Sequence, residues 1–298
     1  MIRHKFFCFF LVIAGNFSCA HQNDFPHTIY YNLDAPDFSV SLPNELDEIS
    51  GLCYLGPNEV YCVQDEKGHV YLLDLTKGKI TKTYEFGSNG DYEGVSLVED
   101  KVFVLKSNGN IYSFSDSGQN ENIPSTKYSG ELNEDFDAEG LCYDADKHRL
   151  LIACKGIAGK SKEMDGQKAI YAFDLISKSF SEKPVFLIPL KSLKSQDSFG
   201  EKLADFLGGD NLTFNPSGIA IHPISKELYI IASKGNRLVV LSADGQIVGT
   251  YQLPPKIFKQ PEGICFDPKG NLIISNEAKG GKANIKVFNY VNKVEDYE

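Results

Sequence analysis

A seven-residue pattern recurs five times along this chain, and no other feature limits its folding options as much. It reads polar–x–polar–Gly–apolar–x–apolar and occurs at Glu48–Tyr54, Asp91–Leu97, Asp137–Tyr143, Asn215–Ile221 and Gln260–Phe266. The glycines are Gly51, Gly94, Gly140, Gly218 and Gly263, at intervals of 43, 46, 78 and 45 residues. Each copy continues into a second apolar run: Glu59–Val63, Lys101–Leu105, Arg149–Cys154, Glu227–Ala232 and Asn271–Ser275. A third follows at His69–Asp74, Asn110–Ser115, Ala169–Asp174, Arg237–Ser242 and Ile285–Tyr290. Turn sequences such as Gly56-Pro57-Asn58 and Asp267-Pro268-Lys269-Gly270 separate these runs, as hairpins require.

Several short antiparallel strands per unit of about 40–50 residues is the signature of a β-propeller, in which no unit can bury its apolar face alone. The chain is therefore expected to be all-β, with five blades of four strands. Residues 28–42 read as strands and should supply the outer strand of the last blade, closing the ring. The long 78-residue interval points to an insertion over 191–210, where Leu190, Leu193, Phe199, Leu203 and Phe206 suggest a short helical excursion. A sixth, degenerate blade in either segment is the alternative.

The first 19 residues read as an address. Arg3 and Lys5 precede the apolar run Phe6–Gly15, which is too short to span a bilayer but suits a signal peptide. Ser18-Cys19 resembles a lipobox, with Cys19 the lipidated residue, although Asn16 stands where leucine is usual. The expected organisation is a signal peptide over 1–19, a tether over 20–27 and a propeller over 28–298. The expected location is the bacterial cell envelope, through a lipid anchor in the membrane, with plain secretion as the alternative. The remaining cysteines (Cys53, Cys62, Cys142, Cys154 and Cys265) form no CxxC or Cys/His cluster, so they read as small buried hydrophobes. The formal charge of −10 with no basic stripe argues against nucleic acid as a partner. A monomer with a small-molecule or protein ligand is expected.

The starts Glu48-Ile-Ser-Gly-Leu, Asp91-Tyr-Glu-Gly-Val, Asp137-Ala-Glu-Gly-Leu and Pro261-Glu-Gly-Ile, with the lipoprotein-like N-terminus, resemble the SdiA-regulated domain family over roughly residues 40–295. That resemblance implies a five-bladed propeller distantly similar to NHL repeats, in an exported or envelope-associated bacterial protein with a calcium site.

In a propeller the innermost strands all run the same way along a central channel, so equivalent residues form rings around one mouth. Directly before the glycines stand Ser50, Glu93, Glu139, Ser217 and Glu262; two residues earlier stand Glu48, Asp91, Asp137, Asn215 and Gln260. With a side-chain period of two, both sets should face the same way. All ten positions offer an oxygen and six are carboxylates, a donor set that suits Ca²⁺ better than zinc. The metal candidates are Glu93, Glu139, Glu262, Glu48, Asp91 and Asp137. The competing reading has these residues capping strand ends and binding channel water.

Turns between second and third strands return to the same face. They bring Lys106, Lys155, Lys234, Asn276 and Glu277, either as salt-bridge partners of the acids or as a grip for an anionic ligand. Lys155–Gln167 is polar enough to be a lid or an open turn. No GxSxG, HExxH, Walker A or Rossmann pattern stands in its proper context. The chain is thus expected to act as a calcium-binding envelope module. The alternative is a calcium-dependent hydrolase of the lactonase or phosphoesterase type, with Glu93 or Glu139 as base.

Overall fold

The computed structural model describes residues 29–116, 122–193 and 213–291. The address segment, Cys19, the tether and most of the insertion lie outside the described residues. Its visible start, Leu190–Leu193, is a single 3₁₀ turn with Leu193 buried.

Five antiparallel sheets account for the described chain. Blade 1 is β2 (Ile49–Gly56), β3 (Glu59–Gln64), β4 (His69–Asp74) and β5 (Lys79–Glu85). Blade 2 is β6 (Tyr92–Val98), β7 (Lys101–Lys106), β8 (Ile111–Ser115) and β9 (Thr126–Tyr128). Blade 3 is β10 (Ala138–Asp144), β11 (Arg149–Cys154) and β12 (Gln167–Asp174), with its outer edge split between β13 (Ser179–Phe180) and β14 (Phe186–Pro189). Blade 4 is β15 (Asn215–Ile221), β16 (Leu228–Lys234), β17 (Arg237–Leu241) and β18 (Ile247–Gln252). Blade 5 is β19 (Pro261–Phe266), β20 (Leu272–Asn276) and β21 (Asn284–Phe288), completed by β1 (Phe38–Ser41) from the other end of the chain. Predicted second and third strands agree with the observed ones to within two residues.

β1 runs antiparallel to β21, with Val40 opposite Ile285, so a sheet formed from both ends of the chain closes the ring. Residues 29–33 are not a strand, contrary to the periodicity of that stretch. They form an irregular strap that buries Tyr31 and Leu33 against blades 4 and 5, and the Tyr31 hydroxyl donates to the Gly270 carbonyl at 2.6 Å. Aromatic packing, not strand pairing, holds this segment: Tyr31 lies against Tyr229, Phe266 and His222.

The core consists of apolar layers between successive blades. The repeated glycines set how closely the inner strands approach. A Cβ on Gly51 would lie 2.9 Å from the Gly94 Cα, and one on Gly94 would lie 2.6 Å from the Leu141 Cβ. One on Gly140 would meet the Gly218 carbonyl carbon at 3.1 Å, one on Gly218 the Glu262 carbonyl oxygen at 2.4 Å, and one on Gly263 the Leu52 nitrogen at 2.9 Å. Each glycine therefore seats the next blade's inner strand, around a waist that no side chain could enter. The pattern's invariant residue is explained by packing alone.

Every inner strand also carries a register shift at this point: Ile49/Leu52, Tyr92/Gly94, Ala138/Gly140, Pro216/Gly218 and Pro261/Ile264. A bulge leaves a residue unpaired and re-aims its side chain. In each blade this includes the residue just before the glycine. Among the described residues the five cysteines behave as small hydrophobes; all five are free, and four are buried.

Candidate functional site

At the end of the channel where the inner strands begin, the ten polar residues form two tiers. The lower tier consists of Ser50, Glu139, Ser217 and Glu262, all buried, with Glu93 half-buried. In the upper tier Glu48 and Asp91 are exposed, and Asp137, Asn215 and Gln260 are half-buried. Within blades the tiers lie close enough to interact: Asp91 with Glu93, and Gln260 with Glu262. The Ser217 hydroxyl instead donates across to the Pro261 carbonyl of the next blade at 2.7 Å, a purely structural bond.

Burial dominates the electrostatics. It pushes the Glu93 and Glu139 carboxyls well above the carboxylate range, and their mutual repulsion pushes the Glu93 carboxyl further. Burial, then Glu277 and Glu139, raise Glu262 to about 8. Around this ring the charge is divided. Lys155, in the turn after β11, donates to the Glu139 Oε1 at 2.5 Å and stands 3.5 Å from the Asp137 Oδ2. Burial lowers the Lys155 ammonium, but Glu139 outweighs it and the net direction is upward. Lys168 on β12 curls beneath the same turn, donating to the Lys155 carbonyl, and Lys234 lies close enough to repel it. Blades 3 and 4 thus present lysines.

Across the channel, blades 5 and 1 present acids. Burial together with Glu48 and Asp65 raises Glu277 to about 7, and burial with Glu48 and Asp91 raises Asp65 to about 6. Glu277 also accepts a short bond from the Gln260 amide. Two buried oxygens in this half have no hydrogen-bond partner: Asp65 Oδ1 and Asn276 Oδ1. Asn276 is fully buried, and its amide nitrogen is committed to the Asn284 Oδ1.

The predicted residues are therefore brought to one mouth but not to one point. Lys155 pairs with Glu139 and Asp137 as a salt bridge. Lys106 instead lies over the Tyr92 ring, 5.6 Å from its centroid, and Lys234 is exposed at the rim. Glu277, expected beside the lysines as part of an anion grip, stands in the acidic corner with Glu48 and Asp65. Among the described residues, no three His, Cys, Asp or Glu side chains are assembled as a ligating cluster. The stretch after Lys155 is an ordered turn, with Ala158 buried and Tyr171 donating to its carbonyl at 2.9 Å. Lys168 was not legible from the sequence, because a lysine opening an apolar strand carries no signal of its direction. Asp65 was visible only as one of several turn acids.

No curated protein of known function matches the chain. Solved structures of similar fold include glutaminyl cyclase from Myxococcus xanthus, at 13% identity over 86% of this chain and 95% of that one, with a TM-score of 0.54. A luciferin-regenerating enzyme shares 11% identity over 87% of this chain and 96% of that one, TM-score 0.48. Virginiamycin B lyase from Staphylococcus aureus shares 17% over 83% and 68%, TM-score 0.45. These likenesses concern the fold alone. The family model described as SdiA-regulated matches residues 204–295, which contain blade 4 and the β19–β21 part of blade 5. That match and the five-blade arrangement together support the SdiA-regulated propeller family for this chain.

Proposed function

We propose that this chain is an exported, lipid-anchored propeller that binds Ca²⁺ at its acidic channel mouth and serves as a ligand- or protein-binding module of the cell envelope. The observation that carries this reading is the pair of partnerless buried oxygens, Asn276 Oδ1 and Asp65 Oδ1, in the half of the mouth where Glu48 and Glu277 also crowd. A buried acceptor without a donor costs about 1–3 kcal/mol, and a hard cation relieves it. Ca²⁺ takes six to eight oxygens and accepts carboxylate, amide and water together. Glu48, Asp65, Asn276 and Glu277 would hold the ion, with Asp91, Glu93 and Glu262 beside them. Binding would draw these carboxylates together by side-chain rotation. Glu139 and Asp137 are satisfied by Lys155 and serve as its counter-charge.

The N-terminal strap leaves the propeller beside Gly270, on the face opposite the acidic mouth. From Ile29 back to Cys19 the chain spans at most about 35 Å. A lipid on Cys19 would therefore turn the acidic mouth away from the membrane. A calcium-dependent hydrolase is the second reading, favoured by Glu262, a buried carboxylate raised by burial and by Glu277 and Glu139 that stands beside the proposed ion as a candidate general base.

The test is calorimetric titration of the chelator-treated domain with Ca²⁺, with thermal unfolding alongside. One-site binding, weakened at least tenfold in Asp65→Asn and Glu277→Gln, is expected. A ligand at 100 times its Kd stabilises by about 2.7 kcal/mol, so the unfolding midpoint should rise visibly. No heat and no shift would refute the calcium site. Turnover of a lactone or phosphoester by the loaded protein would establish the second reading.

A further inference from the structure

We infer that the other end of the channel is a binding site for a compact, uncharged, apolar molecule. Past the glycine waist the channel opens into a vestibule of about 330 Å³, lined by the three residues that follow each glycine, together with Pro223, Asp267 and Pro268. The constriction between the glycines holds only about 10 Å³, room for about one water, so a guest that fills the vestibule does not reach the acidic mouth. The innermost ring is Leu52, Val95, Leu141, Ile219 and Ile264.

The next ring contributes Cys53, Cys142 and Cys265, whose thiols burial keeps protonated; Cys53 is pushed up to about 11. The Cys53 thiol donates to the Tyr54 carbonyl at 3.6 Å. The three thiols are thus neutral. The one carboxylate at the rim, Asp267, is spent on the backbone of Lys269 and Asn271 and on the Asn271 amide. The Tyr143 hydroxyl at the rim is held by His148 at 3.0 Å.

No uncommitted charge therefore faces a guest, and burying an anion or cation here would go uncompensated. Pockets of about 300 Å³ and more with apolar linings are the size at which small ligands bind, and apolar cavities of about half this volume already take benzene. The guest is accordingly an aryl ring or a short acyl chain, entering from the strap face with its polar end outward, toward Tyr54 and Tyr143.

The probe is 2-naphthol, neutral at pH 7.5. The chain has no tryptophan and the probe is excited where tyrosine does not absorb, so its emission is read without protein background. EDTA is present throughout, which makes the result independent of any metal at the acidic mouth. Saturable 1:1 binding is expected, displaced by 1-octanol at concentrations at least tenfold below those needed of octanoate. Leu97→Asp and Ile221→Asp, at half-buried wall positions, should each weaken binding tenfold or more at a temperature where each variant is still fully folded by circular dichroism. Ile176→Asp, at an isoleucine 80% exposed elsewhere, should leave binding intact. Absence of saturable binding, octanoate competing as well as octanol, or binding that survives both wall substitutions would overturn the inference.

Discussion

Glu139 shows how a single residue's role depends on its neighbours. Its position before Gly140 makes it the equal of Glu93 and Glu262 in the sequence, yet Lys155 claims it. Removing that cation leaves a buried carboxylate without compensation, so Lys155→Met should destabilise the protein by roughly 1–3 kcal/mol at pH 8. The lower end is expected because the Lys155 side chain is 39% exposed and partly screened. At pH 5, where Glu139 is protonated, most of the loss should vanish, and Lys155→Met/Glu139→Gln should recover stability at pH 8. Urea titrations of the single and double variants measure this; additive losses would show that the pair is uncoupled. Gly94→Ala tests the waist. The new methyl would overlap the Leu141 backbone and Cβ, costing about 1–3 kcal/mol by overpacking. An unchanged urea midpoint would mean that the inner strands have room to part.

At the scale of elements, the bulge before each glycine and the closing strand matter most. The expectation that residues two apart face the same way assumed unbroken alternation, but every inner strand carries a register shift near its start. The two tiers nevertheless meet through Asp91–Glu93, Gln260–Glu262 and the shared Lys155, because the bulge turns the lower residue into the channel. The turn chemistry, the strand lengths and the outer position of β1 were all legible, since each follows from local periodicity and glycine placement. The strap over 29–33 was not. Its alternating Ile29, Tyr31 and Leu33 read as a strand, while the available partner was an aromatic cluster and no free sheet edge. Beginning the chain at Leu42 removes both strap and β1, leaving β21 as a bare edge and Tyr229 and Phe266 uncovered. The thermal midpoint should fall by well over 5 °C with a broadened transition, followed by circular dichroism. A sharp transition at the original temperature would show that the ring closes without them.

For the whole molecule, the acids of the mouth make stability depend on pH. Glu262 and Glu277 hold protons more tightly folded, at about 8 and about 7, than unfolded near 4.5. Their contribution is complete below pH 4.5 and is lost as the pH rises through these values. His222 acts oppositely. Burial lowers it to about 4, so its contribution is present above pH 6.5 and is lost as the pH falls through 4. In EDTA the unfolding midpoint should therefore decline between pH 6.5 and 8.5, where His222 no longer titrates. Saturating Ca²⁺ should flatten that decline, because a bound cation stabilises the charged carboxylates. His222→Asn should flatten only the acid side of the profile. A midpoint that rises from pH 6.5 to 8.5 in EDTA would contradict the buried-acid arrangement.

The repeat itself determined the number of blades, the direction of the inner strands and the gathering of ten oxygen-bearing residues at one mouth. Those properties follow from periodicity, and a pattern repeated five times has essentially one closed arrangement in which every unit buries its face. Only the tertiary structure decided which acids share a lysine, which oxygens are left without a partner, and that the glycines close the channel above a neutral vestibule. These depend on distances between blades some 45 residues apart in the chain, set by how closely a glycine lets the neighbouring backbone approach, and local sequence does not encode such distances.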